Sequence, residues 1–212
     1  MRYKYLLFDW DGCLARTLDV WFESYKKTLD ELGIKKKDKE ITAVFGNWQG
    51  GTLLGAPDND KFFERVDSMV KDQMPQIELH NGVKKALAKL KEEGYVLAIL
   101  SSSIREYLIP AMKYHEILDL FEVVITGEDV KEHKPSPEVI YKAMNKLGGN
   151  KKEHVMIGDS DKDVMAAGNA GIDSVLYFPE EHKLFYDLDE LIKSKPTFLI
   201  NKFEEISKIL NI

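Results

Sequence analysis

The sequence predicts an α/β protein, three layers deep, with a mainly parallel sheet and a helical insert after the first strand. Three observations predict it. Apolar runs of strand length alternate with amphipathic stretches of helical period along most of the chain. Those runs are continuously apolar rather than alternating, as in strands buried on both faces of a parallel sheet. One stretch, from about residue 18 to residue 77, holds no convincing strand. Its roughly sixty residues exceed what a crossover connection needs.

Taken in order, the first strand spans residues 5–10 and runs into Asp9, Asp11 and Gly12. A buried strand gains no stability from carboxylates at its end, because an unpaired buried carboxylate costs several kcal/mol. Gly12 permits an immediate turn that would bring both aspartates to one pocket. Amphipathic helices are expected over 18–32 and 61–74, separated by a glycine-rich loop, Phe45-Gly46-Asn47-Trp48-Gln49-Gly50-Gly51. Hinges are expected near 14–19 and 76–82. Helix 83–93 carries Val83, Ala86, Leu87 and Leu90 on one face and stops at Gly94. A strand over 95–100 leads to Ser101-Ser102-Ser103, and Ser103 to Glu106 reads as a capping box opening the next helix. A strand over 122–126 precedes Glu128, Asp129 and His133-Lys134-Pro135. Ser136-Pro137-Glu138 reads as an N-cap with proline at the first helical position. Strands over 154–157 and 174–178 follow, with a weaker one over 197–200.

Bulk properties narrow the function classes. The chain has 212 residues, 44% hydrophobic and 31% charged, with net charge −6. That is ordinary for one soluble core plus a small insert, and the acidic balance argues against a nucleic-acid partner. Lys35, Lys36 and Lys37 form too short a basic run to change this. A single cysteine excludes an internal disulfide and fits a reducing compartment. No apolar run approaches the ~18 residues of a membrane span, and Asp9 and Asp11 cut the N-terminal run short of a signal peptide. A cytoplasmic protein, monomer or homodimer, is expected.

Four strand ends carry polar residues that are out of place in a core. In open α/β sheets the ligand crevice lies beyond the carboxyl ends of the strands, so these groups can share one site. Asp9, Asp159 and Asp163 are hard oxygen ligands suited to Mg²⁺. A helix starting at Ser160 would turn Asp163 toward Asp159. Ser101 offers a hydroxyl beside a helix N-terminus that favours an anion, and Lys134 a fixed positive charge. Together these make a phosphoryl site in which one aspartate is a nucleophile and another a general acid and base.

Asp9-Trp10-Asp11-Gly12, Ser101, Lys134-Pro135 and Gly158-Asp159-Ser160-Asp161-Lys162-Asp163 resemble, in order, the four motifs of the haloacid dehalogenase-like hydrolase superfamily. The insert resembles the small α-helical cap of its phosphoglycolate phosphatase and β-phosphoglucomutase branch. The resemblance implies a Rossmann-like core over 1–15 and 80–212, with a cap over 16–79. It implies Asp9 as nucleophile and Mg²⁺ ligand, and Asp11 as acid/base lending its main-chain carbonyl to the metal. Ser101 and the amide of Ser102 would bind the phosphoryl group, Lys134 would neutralise it, and Asp159 and Asp163 would hold the metal or its waters. Cys13 stands where the phosphatase branch usually has threonine.

The expected function is Mg²⁺-dependent hydrolysis of a small phosphorylated metabolite through an aspartyl-phosphate. A β-phosphoglucomutase-like phosphomutase and a non-catalytic phospho-ligand or partner scaffold are the alternatives. Arg16, at the hinge, and Asn47, Trp48 and Gln49, in the cap loop, are the candidate substrate contacts. Trp21, Phe22 and Tyr25 read as packing, Glu128 and Asp129 as loop charges, and the five histidines as surface or hinge residues.

Overall fold

The computed structural model describes residues 2–45, 47 and 49–212. Six strands form one parallel sheet: β1 (Tyr5–Phe8), β2 (Val96–Leu100), β3 (Phe121–Ile125), β4 (His154–Gly158), β5 (Asp173–Tyr177) and β6 (Phe198–Ile200). Their order is β3-β2-β1-β4-β5-β6, so the winding reverses between β1 and β4. Such a switch point opens a crevice at the carboxyl ends of the two strands.

Side chains alternate between two buried faces. Leu6, Phe8, Leu97, Ile99, Val155 and Ile157 face one apolar layer, which also takes in helix α5 (Val83–Glu92) and helix α6 (Arg105–Tyr114). Leu7, Ala98, Leu100 and Met156 face the other, covered by α7 (Glu138–Leu147) and α8 (Asp161–Ala170). This double burial is why the strands read as unbroken apolar runs. The first strand ends at Phe8 rather than Trp10, because the Trp10 carbonyl accepts from Leu14 and Ala15 N–H and closes a turn.

The insert carries α1 (Thr17–Glu31), α2 (Asp38–Thr42), α3 (Gly50–Leu53) and α4 (Asn59–Gln73). It has its own apolar cluster, with Phe22, Tyr25, Leu29, Phe62, Val66 and Val70 fully or nearly buried. The Asp58 carboxylate caps α4 by accepting from Asp60 and Lys61 N–H. Gly50 and Gly51 do not belong to an open loop. They begin α3, and a Cβ on Gly51 would lie 2.8 Å from the Phe62 ring, so glycine lets α3 rest on α4. A narrow antiparallel ribbon joins insert and core. Ala15 bridges Leu79, Arg16 N–H donates to the Glu78 carbonyl (2.8 Å), and His80 N–H donates to that of Leu14 (2.9 Å).

Candidate active site

The site is built where β1 and β4 end side by side. Phe8 pairs with Ile157, and the Asp9 N–H donates to the Ile157 carbonyl at 2.8 Å, which brings Asp9 beside the Gly158-Asp159 turn. Gly12 turns the chain with φ +74°, and its N–H donates to the Ala15 carbonyl and to Thr17 Oγ1. A Cβ on Gly12 would lie 2.3 Å from Asp159 Oδ2, so the turn and the aspartate occupy almost the same space.

Lys134 ties the carboxylates together. Its ammonium donates to Asp9 Oδ1 and Asp163 Oδ1, both at 2.6 Å, and to the Leu100 carbonyl at 3.1 Å. Its side chain is 6% exposed, so these charge-assisted bonds are shielded from water. The opposite oxygen of Asp163 accepts from Ser160 Oγ (2.6 Å) and Ser160 N–H (3.2 Å). That reciprocal cap starts α8 and fixes Asp163 four residues after Asp159. Asp161, between them, is exposed.

Ser101 is buried, and its hydroxyl donates to Asp11 Oδ2 at 3.0 Å while accepting from Ser103 N–H at 2.9 Å. The expected capping box at Ser103 does not form. Helix α6 starts at Arg105, whose N–H donates to Glu128 Oε2 at 2.7 Å, and whose guanidinium donates to Asp129 Oδ2 at 2.6 Å. Of the two acidic residues read as loop charges, Glu128 therefore caps the helix that follows the serines, and Asp129 pairs with that helix's first side chain while accepting from Thr126 N–H and Oγ1. Gly127 belongs to the same joint, since a Cβ there would meet the Ser102 carbonyl at 2.4 Å. The only sequence signal for this role was their place just past a strand end, where loop charges are common. Ser136 Oγ does accept from Glu138 N–H, at 3.3 Å, with α7 starting one residue later than expected.

Four aspartates around one lysine leave an excess of negative charge. Burial, reinforced by Asp163, pushes the Asp9 carboxyl up to about 8 against the opposing pull of Lys134. Burial, with Asp9 and Asp163 adding to it, holds Asp159 well above the carboxylate range. Burial also works against the Lys134 charge, but Asp163 and Asp9 outweigh it and raise the lysine. One carboxylate oxygen each of Asp9, Asp159 and Asp163 lies within 4.8 Å of the others, and Asp159 Oδ2 is buried without a hydrogen-bond donor. Hard oxygen donors, surplus negative charge and an orphaned lone pair fit a divalent cation. Cys13 is fully buried, with its thiol 3.6 Å from the Ile157 carbonyl and its pKa raised by burial and then by Asp9. It has neither the exposure nor the thiolate character of a reactive cysteine.

The structure thus joins Asp9, Asp11, Ser101, Lys134, Asp159 and Asp163 in one place, with Ser102 exposed beside them. It does not bring Arg16 to them. The Arg16 guanidinium is held by Asp19 at 2.7 Å, with Glu78 at 3.8 Å. It lines a cleft of about 720 Å³ with Asp19, Glu23, Asp72 and Glu78, and none of the site's aspartates line it. Asn47 and Gln49 are exposed and bonded to each other, Gln49 N–H donating to Asn47 Oδ1 at 2.9 Å; Trp48 lies outside the described residues. Phe22 and Tyr25 pack as expected, with Trp21 against them. The histidines divide otherwise than expected. His154 and His182 are buried in the core, as is His80 at the hinge. His154 stacks on Tyr5 at 4.5 Å, and its Nδ1 contacts the Asn150 carbonyl, so it is a packing residue.

The model of the haloacid dehalogenase-like hydrolase family matches residues 6–177. The chain belongs to that family. It is 29% identical to the pyrophosphatase PpaX of Halalkalibacterium halodurans over 94% of this chain and 96% of that one. It is 31% identical to the pyrophosphatase PpaX of Bacillus velezensis over 80% and 81%. Among solved structures, a "predicted phosphoglycolate phosphatase" from Haemophilus somnus 129pt superposes with a TM-score of 0.82 at 24% identity, covering 99% of both chains. That last likeness bears on the fold alone. No helix among the described residues is long and apolar enough to cross a membrane.

Proposed function

We propose that the protein is a Mg²⁺-dependent phosphatase that hydrolyses a small phosphorylated metabolite through an aspartyl-phosphate on Asp9. The observation that carries this reading is the Lys134 ammonium set between Asp9 and Asp163, with Asp11 and Ser101 hydrogen-bonded alongside. Asp9 Oδ1 takes the lysine, which leaves its second oxygen to attack phosphorus. The bond from phosphorus to the leaving oxygen breaks as Asp11 delivers a proton to that oxygen. Asp11 then takes a proton from a water, whose oxygen attacks the phosphoryl group and frees Asp9 and inorganic phosphate. Lys134, Ser101 and the Ser102 amide hold the phosphoryl oxygens, Ser101 turning from Asp11 and Ser103 to do so. Asp9, the Asp11 carbonyl and Asp159 would hold the cation, with Asp163, whose oxygens already serve Lys134 and Ser160, behind them. When bound, Mg²⁺ supplies positive charge that offsets the crowded carboxylates and the phosphoryl oxygens.

In this reading residues 16–79 are a cap that selects the leaving group, and the protein works in the cytoplasm without nucleic acid or membrane, as a monomer or homodimer. A second reading, hydrolysis of pyrophosphate, is favoured by the relatives named pyrophosphatase. Phosphate release from a panel of sugar phosphates, phosphoglycolate, an aryl phosphate and pyrophosphate, with and without Mg²⁺, tests both. Turnover of one substrate that vanishes in chelator supports the proposal. Turnover unaffected by chelator, or none with any substrate, overturns it, and conversion of β-glucose 1-phosphate to the 6-phosphate would point to the mutase.

A further inference from the structure

The insert does not close its own apolar cluster. Residues of the core complete it: Tyr107 of α6, and Leu184 and Phe185 on the segment that follows β5. Gly158 pairs with Leu176, so that segment leaves the sheet beside the Asp159 turn. A 3₁₀ turn, Glu180–Leu184, then fastens it to the core. His182 is buried there against Tyr177 and Phe178, and its carbonyl accepts from Phe185 N–H at 2.9 Å. From this fixed base the Phe185 ring projects into the insert. It stands edge-on to Phe22 with centroids 6.0 Å apart and stacks on Phe45 at 6.1 Å. Phe45 leans in turn on Tyr25 at 5.2 Å. The other side of the insert is held differently, by the exposed polar pairs of Tyr107 with Asp67 and of Glu106 with Lys71.

We infer that Phe185 is a positioning residue for substrate selection, an aromatic clamp by which the core fixes the seat of the insert and, through Phe45, the place of Asn47 and Gln49. The inference rests on the proposed reading of the insert as the part that selects the leaving group. Aromatic rings prefer stacked and edge-on contacts because their faces and edges carry opposite partial charge. A stack and an edge contact on one ring therefore set both distance and angle, which an exposed ion pair between long side chains does not. The seat is passed on through short bonds. Phe45 N–H donates to the Thr42 carbonyl at 3.1 Å, Asn47 N–H to that of Val44 at 3.0 Å, and Gln49 N–H to Asn47 Oδ1 at 2.9 Å. Asn47 and Gln49 are exposed, and this run of bonds ties them to the ring that Phe185 holds. Lifting the insert would strip Phe22 of its Phe185 neighbour and return apolar ring surface to water, which favours the seated state. Phe185 acts through the insert, so a leaving group large enough to reach the insert feels its loss and a small one does not.

The test is steady-state hydrolysis of two probes by the full chain, with amide hydrogen exchange on the same variants. The probes are acetyl phosphate, whose leaving group is small, and the best-hydrolysed member of the sugar phosphate, phosphoglycolate and pyrophosphate panel. Phe185→Ala should raise KM for the panel substrate by ~10-fold, the scale of two lost aromatic contacts. Acetyl phosphate should keep its kcat/KM to within about twofold. Phe185→Tyr keeps the ring and should restore the wild-type KM, and Phe185→Leu should fall between. The Phe45 and Asn47 amides should exchange faster in Phe185→Ala. Glu106→Gln, which cuts an exposed pair on the other side, should change neither probe. Equal losses for both probes in a folded Phe185→Ala, an unchanged KM for the panel substrate, unchanged exchange at both amides, or the same rise in KM in Glu106→Gln overturns the inference. Should Phe185→Ala not fold, Phe45→Leu removes the stack from the side of the insert and must split the two probes in the same way. A wild-type chain that hydrolyses neither probe brings down the phosphatase reading, and the inference with it. That failure is seen in wild type alone, and the failure of the clamp only in the variants.

Discussion

Gly12 has φ +74° and a virtual Cβ only 2.3 Å from Asp159 Oδ2. Any side chain there is strained by the backbone and also displaces a buried carboxylate. Gly12→Ala should therefore cost on the order of 1–3 kcal/mol in urea unfolding, and should impair activity in the fraction that folds. A variant as stable and active as wild type would show that the turn relaxes freely. Asp9 presents the opposite case, since its substitution is nearly isosteric. Asp9→Asn should lower turnover by more than ~10³-fold while the protein remains folded, because no other carboxylate is placed to form the phosphoenzyme. Retention of more than a few per cent of activity, in a preparation shown free of deamidation, would end the covalent mechanism.

At the scale of elements, the site depends on how helices start. Helix α8 begins with a reciprocal bond between Ser160 and Asp163, so one motif both caps a helix and aims a carboxylate at Lys134. Helix α6 has no side-chain cap of its own, and Glu128, reaching across from the turn after β3, accepts its Arg105 N–H. Glu128→Ala should thus lower stability by ~1 kcal/mol, the usual cost of a lost cap, and raise KM for the phosphorylated substrate more than it lowers kcat. An unchanged KM would mean that the serine loop holds its shape without that cap. The capping box expected at Ser103 failed for a physical reason. The Ser103 carbonyl is taken by Gly127 N–H and its own N–H by Ser101, so the chain is extended until Ile104.

For the molecule as a whole, the joint between insert and core is aromatic and titratable. His182 packs against His80 with ring centroids 5.3 Å apart, and against Phe185 at 6.5 Å and Tyr186 at 5.8 Å. Burial, and then the nearness of His80, pushes the His182 imidazole down to about 3, and burial lowers His80 as well. A histidine depressed in the folded chain binds its proton only when the chain unfolds. Its contribution to stability is complete above the ordinary pKa near 6.5 and is lost as pH falls toward 3. At pH 5 the loss from His182 should be about 2 kcal/mol relative to pH 7. Urea unfolding of wild type and His182→Leu at both values checks this. The variant should lose less stability between them, and the comparison cancels the titration of the shared carboxylates. Equal losses would place the acid sensitivity elsewhere. The polar links on the other side of the insert, Tyr107 to Asp67 at 2.9 Å and Glu106 to Lys71 at 2.8 Å, are exposed and add little.

The sheet and most of the site are legible in local sequence pattern. The central strands β1 and β2 are unbroken apolar runs because both faces are covered, and Asp9, Ser101 and Asp159 stand just past the ends of β1, β2 and β4. Short-range rules suffice for such features: burial sets the run, and the residue after the run meets the crevice. Packing in three dimensions set the rest: Arg16 is neutralised by Asp19, and Glu128 caps a helix 23 residues before it in the chain. Those outcomes depend on which charges and helix ends meet across the sheet order. A charged residue in a loop reads the same whether its partner is water or a helix end. Pairing of that kind is set by packing geometry over long separations, which local pattern does not encode.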